Sequence, residues 1–175
     1  MRTLEHRRHS RRDASGVQLN PEGRALARKV GGSMPRFDRV ITSPKRRAVE
    51  TATALGFPVD ATEPALGEMP DDAGVPFEPD PPRTFEEYAR WAEQSRAMGE
   101  FARSQAHLWE RELERVPEGG ALLMISHSGV VEAGAVAALP RVARTWGPLL
   151  GYLEGVRLRW DGTRWVSGEV LRVPE

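Results

Sequence analysis

The segment GGALLMISHSGVVEAGAVAALP, residues 119–140, decides how the rest of the chain is read. Its first part, Ala121 to Ser126, is a continuous apolar run bounded by Gly119-Gly120. An apolar run without alternation is the pattern of a central parallel strand buried on both faces. Gly129 to Leu139 then reads as a helix of small residues stopped by Pro140. Between strand and helix stands Ser126-His127-Ser128-Gly129, a polar cluster at the carboxyl end of a buried strand.

Working outward, the same strand-then-helix order recurs. Residues 2 to 7 form a short strand, unusually polar through Thr3, Glu5 and His6. Asn20-Pro21 is a cap followed by a first-turn proline, and the helix it opens runs to Val30, before Gly31-Gly32. Phe37 to Thr42 is a strand around Val40-Ile41. Ser43-Pro44 repeats the cap-plus-proline start, with Ala48, Ala52 and Leu55 at helical spacing and Gly56 as the stop. Pro58 to Pro82 holds seven prolines and reads as a long ordered loop, of the kind that carries function in compact domains. From Thr84 to Arg115 the pattern is helical. Phe85, Tyr88 and Trp91 share one face of a first helix, Phe101, Leu108, Trp109 and Leu113 mark a second, and the break between them is placed at Gly99. Val156 to Trp160 and Arg164 to Arg172, joined through Asp161-Gly162, make a closing hairpin. The expected fold is an α/β three-layer sandwich: a mostly parallel sheet flanked by helices, with an antiparallel C-terminal hairpin, in one domain spanning residues 1–175.

Composition narrows the chemistry. The absence of cysteine removes disulfides, thiolate metal sites and cysteine nucleophiles. Basic and acidic residues balance at 25 each, so no global field favours nucleic acid, and the cationic cluster LEHRRHSRRD at residues 4–13 must act locally. No apolar run reaches membrane-spanning length and no apolar segment backs the N-terminal charges, so neither a membrane partner nor a signal peptide is expected and the chain reads as cytoplasmic. No His/Asp/Glu group has metal-ligand spacing, so no metal or other cofactor is expected. Phosphate-cradling Gly-x-x-x-x-Gly-Lys and Gly-x-Gly-x-x-Gly loops are absent, and the nucleophile-elbow pattern fails around Ser126 and Ser128. Oligomeric state is not readable from the sequence.

Three polar clusters end three expected strands: Arg8-His9-Ser10, Ser43-Pro44 followed by Arg46-Arg47, and Ser126-His127-Ser128-Gly129. In open α/β sheets ligands bind outside the carboxyl ends of the strands, where these clusters converge. Two arginines and two histidines in one crevice suit a phosphoryl group, since guanidinium forks grip its oxygens and imidazole can bind and react.

The ordered motifs also resemble the histidine phosphatase superfamily, the phosphoglycerate mutase-like proteins. Arg8-His9-Ser10 is similar to that family's Arg-His-Gly, LNPEGRALA to its Leu-Thr-x-x-Gly-x-x-Gln-Ala, SPKRRAVETA to its Ser-Pro-x-x-Arg-Ala-x-x-Thr-Ala, LLMISHSGVVEA to its late strand-His-Gly element, and Leu66-Gly67-Glu68 to its Leu-x-Glu. The resemblance implies a nucleophilic His9 that forms a phosphohistidine released by water, with His127 as second histidine. It implies Glu68 as proton donor, with Asp71 as second choice, and phosphate binding by Arg8, Arg47 (not Arg46), His127 and Ser128. Ser10 and Ser128 replace the usual glycines, and Ser15 stands where the family often has asparagine. Ser15, Arg11 and Arg12 are then rim positions, with Arg7 beside them in the solvated cluster. The physics agrees: neighbouring guanidinium charge keeps His9 neutral, and a His127 protonated beside a phosphate dianion would donate to its oxygens.

The expected activity is therefore metal-independent hydrolysis of small phosphomonoesters. The alternatives are phosphoryl transfer of the mutase type and a non-catalytic phosphate- or phosphoprotein-binding module. Of the remaining residues, His107 is expected on the surface, Trp91 and Trp109 in the core, and His6 on the face of its strand opposite His9.

Overall fold

The computed structural model describes residues 1–67, 69–71 and 81–174. Among these residues six strands form one sheet: β1 (Arg2–Arg8), β2 (Arg39–Thr42), β3 (Ala61–Thr62), β4 (Ala121–Ser126), β5 (Gly155–Trp160) and β6 (Trp165–Leu171). Their order is β3-β2-β4-β1-β5-β6. The first four run parallel, and β5 turns antiparallel against β1 and β6. Among the described residues six helices surround them: α1 (Pro21–Gly31), α2 (Arg46–Leu55), α3 (Phe85–Gln94), α4 (Arg96–Glu114), α5 (Val130–Ala138) and the single turn α6 (Pro140–Ala143).

Strand β4 is the centre, as its sequence requires. Leu122 and Met124 pack into one apolar cluster with α3, α4 and α5, while Leu123 and Ile125 pack into another with α1 and α2. Alternate side chains of one strand thus hold both helical layers on the sheet. Each of these four side chains is fully buried, a gain of about 2 kcal/mol apiece.

The polarity of β1 is resolved by its partners. Buried Glu5 accepts from Arg7 Nε at 2.6 Å and from Arg157 Nη2 at 2.9 Å. Arg7 also donates to the Leu153 carbonyl at 2.7 Å, so it is a buried structural cation and not a member of the solvated rim. His6 meets Ser126 Oγ at 2.7 Å and stands edge-on to Trp109, both on the α3–α5 side of the sheet.

Two boundaries differ from expectation. The long helical stretch breaks at Ser95, whose hydroxyl accepts from Met98 N and caps α4. Gly99 lies inside α4, where any Cβ would come within 2.7 Å of the Ala92 carbonyl, so it serves the close approach of α3. Ser43-Pro44 also does not cap α2: Lys45 is the N-cap residue, and the helix has no side-chain capping bond. Pro140 opens the short α6 directly after α5. Trp91 and Trp109 are in the core and His107 is exposed, as expected. The described part of the proline-rich loop holds β3 and one 3-10 turn at Pro64–Leu66.

Candidate active site

Backbone ladders bring the three strand ends together. The amide of His9 donates to the Ser126 carbonyl at 2.8 Å and that of Ser43 to the Ile125 carbonyl at 2.9 Å, so β1, β4 and β2 end side by side. His9, Ser43 and His127 are therefore neighbours although far apart in sequence.

Arg47, on the first turn of α2, occupies the centre. Its Nε donates to His9 Nε2 at 3.2 Å, its Nη2 lies 3.3 Å from His127 Nδ1, and its Nη1 donates to the Gly16 carbonyl at 3.0 Å. Of the two arginines weighed in the sequence, Arg47 thus stands between the histidines, whereas Arg46 points outward to pair with Glu50. The two imidazole rings stand 5.3 Å apart.

The hydrogen bonds fix the histidine tautomers. His9 Nδ1 lies 2.7 Å from the Ser10 carbonyl and must donate to it, which leaves Nε2 as the acceptor facing Arg47. By the same logic His127 accepts at Nδ1 and donates from Nε2 to Ser43 Oγ at 2.7 Å. Burial, then the charges of Arg47, Arg8 and Arg12, push His9 down to about 4, against the opposing pull of the Ser10 carbonyl. Burial and Arg47 push His127 down to about 3. Both rings are neutral at pH 7, and desolvation outweighs guanidinium charge as the cause for each. The protein alone therefore presents His127 without the positive charge that a bound dianion would induce.

Arg8 is a second cationic arm, whose charge reaches His9. Its Nη1 donates to the Leu150 carbonyl at 2.8 Å and its guanidinium lies 4.2 Å from the ring centre of Tyr152, within cation–π range. Its buried Nε has no hydrogen-bond partner among the described residues. Ser10 is locked away from this arm, its hydroxyl donating to the Gly23 carbonyl and its amide to Thr51 Oγ1. The serine thus occupies the glycine position by bonding backward into α1.

The other named residues separate. Ser128 Oγ is 3.3 Å from Glu132 Oε1, so its hydroxyl turns toward α5. Ser15 is exposed and bonds Asp13. Arg12 is exposed, yet its charge reaches His9; Arg11 faces a different cleft, with Lys29 and Tyr152. Glu68 lies outside the described residues. Asp71 lines an open cleft beside His127, together with Lys45, Arg47, Gly67 and Ser128.

Sequence reasoning put Ser43 in a strand-end cluster without giving it a role, and missed Tyr152 and Glu132. Ser43 was masked by its resemblance to a helix cap. Glu132 had a signal, as the single acid in the otherwise apolar helix VVEAGAVAA. Tyr152 had none.

The histidine phosphatase superfamily (branch 1) model matches residues 2–170. The chain belongs to that superfamily. No curated protein matches it significantly. Among solved structures, this chain is similar to phosphoserine phosphatase from Entamoeba histolytica, solved with 3-phosphoglyceric acid. That likeness has 15% identity, covers 99% of this chain and 98% of that one, and has a TM-score of 0.74. A mycobacterial glucosyl-3-phosphoglycerate phosphatase is similar at 20% identity, 98% of each chain and a TM-score of 0.62. YhfR of Bacillus stearothermophilus follows at 18% identity, 95% of each chain and a TM-score of 0.64. At these identities the likenesses establish a common fold. No helix among the described residues is long and apolar enough to cross a membrane.

Proposed function

We propose that the chain is a phosphatase that hydrolyses small phosphomonoesters through a phosphohistidine on His9, without a metal ion. The observation that carries this reading is the tautomer of His9: the Ser10 carbonyl holds the proton on Nδ1, and the Nε2 lone pair faces the guanidinium of Arg47. A neutral imidazole whose Nε2 lone pair accepts only from an oxyanion-binding guanidinium, which an incoming phosphate would draw to itself, is what attack on phosphorus needs.

The steps balance as follows. Nε2 of His9 attacks phosphorus as the ester P–O bond breaks, and the leaving oxygen takes a proton from a carboxylic acid of the loop after β3. Glu68 is that acid by its motif; among the described residues Asp71 lines the cleft. Water then attacks phosphorus, the P–N bond breaks, and the same carboxylate takes the proton from water. Arg8 and Arg47 hold the oxygens throughout, and each such donor is worth about 3 kcal/mol on the barrier. His127, brought beside a dianion, gains a proton and becomes a further donor. The ligands named for the similar structures, 3-phosphoglyceric acid and a vanadium oxyanion, support small phosphorylated substrates.

The test is hydrolysis of an aryl phosphate in excess EDTA by the wild-type protein and by His9→Ala. Turnover that persists in EDTA and is lost in the variant supports the reading. Turnover that needs added metal, or survives loss of His9, overturns it.

A further inference from the structure

Glu132 is fully buried on α5 and both of its oxygens are used. Oε2 accepts from the Gly129 amide at 2.6 Å, and Oε1 accepts from the Leu150 amide at 3.1 Å and the Ser128 hydroxyl at 3.3 Å. Part of this is ordinary capping, because an acid at the third position of a helix commonly accepts the amide that opens it. Capping accounts for Gly129 only. It does not explain why the same carboxylate reaches Leu150, 18 residues further on, in the loop before β5.

The two ends of this bridge lie next to Arg8 and His127, the groups to which the proposed function gives the phosphate. Leu150 presents its carbonyl to Arg8 Nη1. Ser128 and Gly129 form the turn that carries His127, and Gly129 sits at a φ of +90°, in the left-handed region that glycine tolerates. Tyr88 holds the turn from the other side by donating to the Gly129 carbonyl. A carboxylate surrounded only by donors is satisfied as the ion, which offsets the burial that raises its pKa.

We propose that Glu132 is a positioning residue that sets the distance between Arg8 and His127 by tying the Leu150 loop to the His127 turn. The proposal rests on the phosphatase reading for what Arg8 and His127 hold, but the brace itself can be tested without turnover. Replacing the carboxylate leaves one or more buried amides unpaired and frees Arg8 and His127 to shift relative to each other. Glu132→Gln keeps one carbonyl acceptor for these donors, so a folded, somewhat less stable variant is expected.

The experiment uses Glu132→Gln and Glu132→Met in the full chain, the second carrying the measurement should the first fail to fold. Protein isotopically labelled at histidine and arginine is read by imidazole and guanidinium nitrogen resonances. Four histidines are present, and buried His6 is the internal control. Expected are shifted His127 signals, an altered Arg8 Nε–H signal and unchanged His6 signals. Tungstate, a tetrahedral oxyanion, is titrated by calorimetry and should bind about tenfold more weakly. Unchanged His127 and Arg8 signals, or His6 shifting equally with them, overturn the proposal. A wild-type protein that binds no tungstate refutes the phosphatase reading instead, while the resonances still decide the role of Glu132.

Discussion

Replacing His6 by Gln should flatten the acid loss of stability by an amount that can be worked out beforehand. His6 is fully buried and burial pushes it down to about 3, whereas in the unfolded chain it titrates near 6.5. As pH falls through 6.5 the unfolded chain takes up a proton that folded His6 refuses. Stability is therefore complete above the unfolded value and declines with falling pH until the folded value is reached. Each pH unit of this one-proton difference is worth about 1.4 kcal/mol, so between about pH 7.5 and pH 5 His6 alone removes about 2 kcal/mol. Gln cannot titrate, yet its amide can still meet Ser126 Oγ; any packing loss against Trp109 is a constant offset. Urea unfolding followed by tryptophan fluorescence at a series of pH values gives both curves. The wild-type protein should lose about 2 kcal/mol more than the variant across that range. Parallel curves would refute the argument, because they would mean that His6 is equally easy to protonate in both states.

Two further outcomes concern the site. Arg47→Lys should lower kcat/KM about 100-fold or more with the fold retained, since one ammonium cannot span His9, His127 and the Gly16 carbonyl; a loss under fivefold in aryl phosphate assays would contradict the central place given to Arg47. Corrected for substrate ionisation, kcat/KM should hold down to the acid range and fall only as His9 gains its proton near pH 4, because the nucleophile must be neutral. An acid limb at the ordinary histidine value, near 6.5, would show that His9 is not desolvated or not the nucleophile.

Much of this was legible because certain residues carry their environment in their pattern. The unbroken run Ala121–Ser126 could belong only to a doubly covered strand, and it is one. Asn20-Pro21 does start a helix, with the Asn20 side chain accepting from the Gly23 amide. Where local signals had two physical uses, the sequence could not choose. Ser43 before a proline looks like a cap, but its hydroxyl is taken by His127. Gly99 looks like a helix break, but it admits α3. Arg7 sits among exposed arginines in sequence, and only the pairing of β1 with β5 reveals the buried Glu5–Arg157 partnership beside it. The same holds in the site. His9, Arg47 and His127 were legible as strand-end chemistry, whereas Tyr152 and the reach of Glu132 to Leu150 depend on where a distant loop returns.

The central claim is a covalent bond from His9 to phosphorus, and trapping it is the most direct measurement. Wild-type protein mixed with radiolabelled aryl phosphate and quenched within milliseconds in alkali should carry label that is lost in acid, as a phosphoramidate bond requires. Peptide mapping should place that label on His9, and His9→Ala should carry none. Label on another residue, acid-stable label, or full turnover with no phosphoprotein at any quench time would contradict the account.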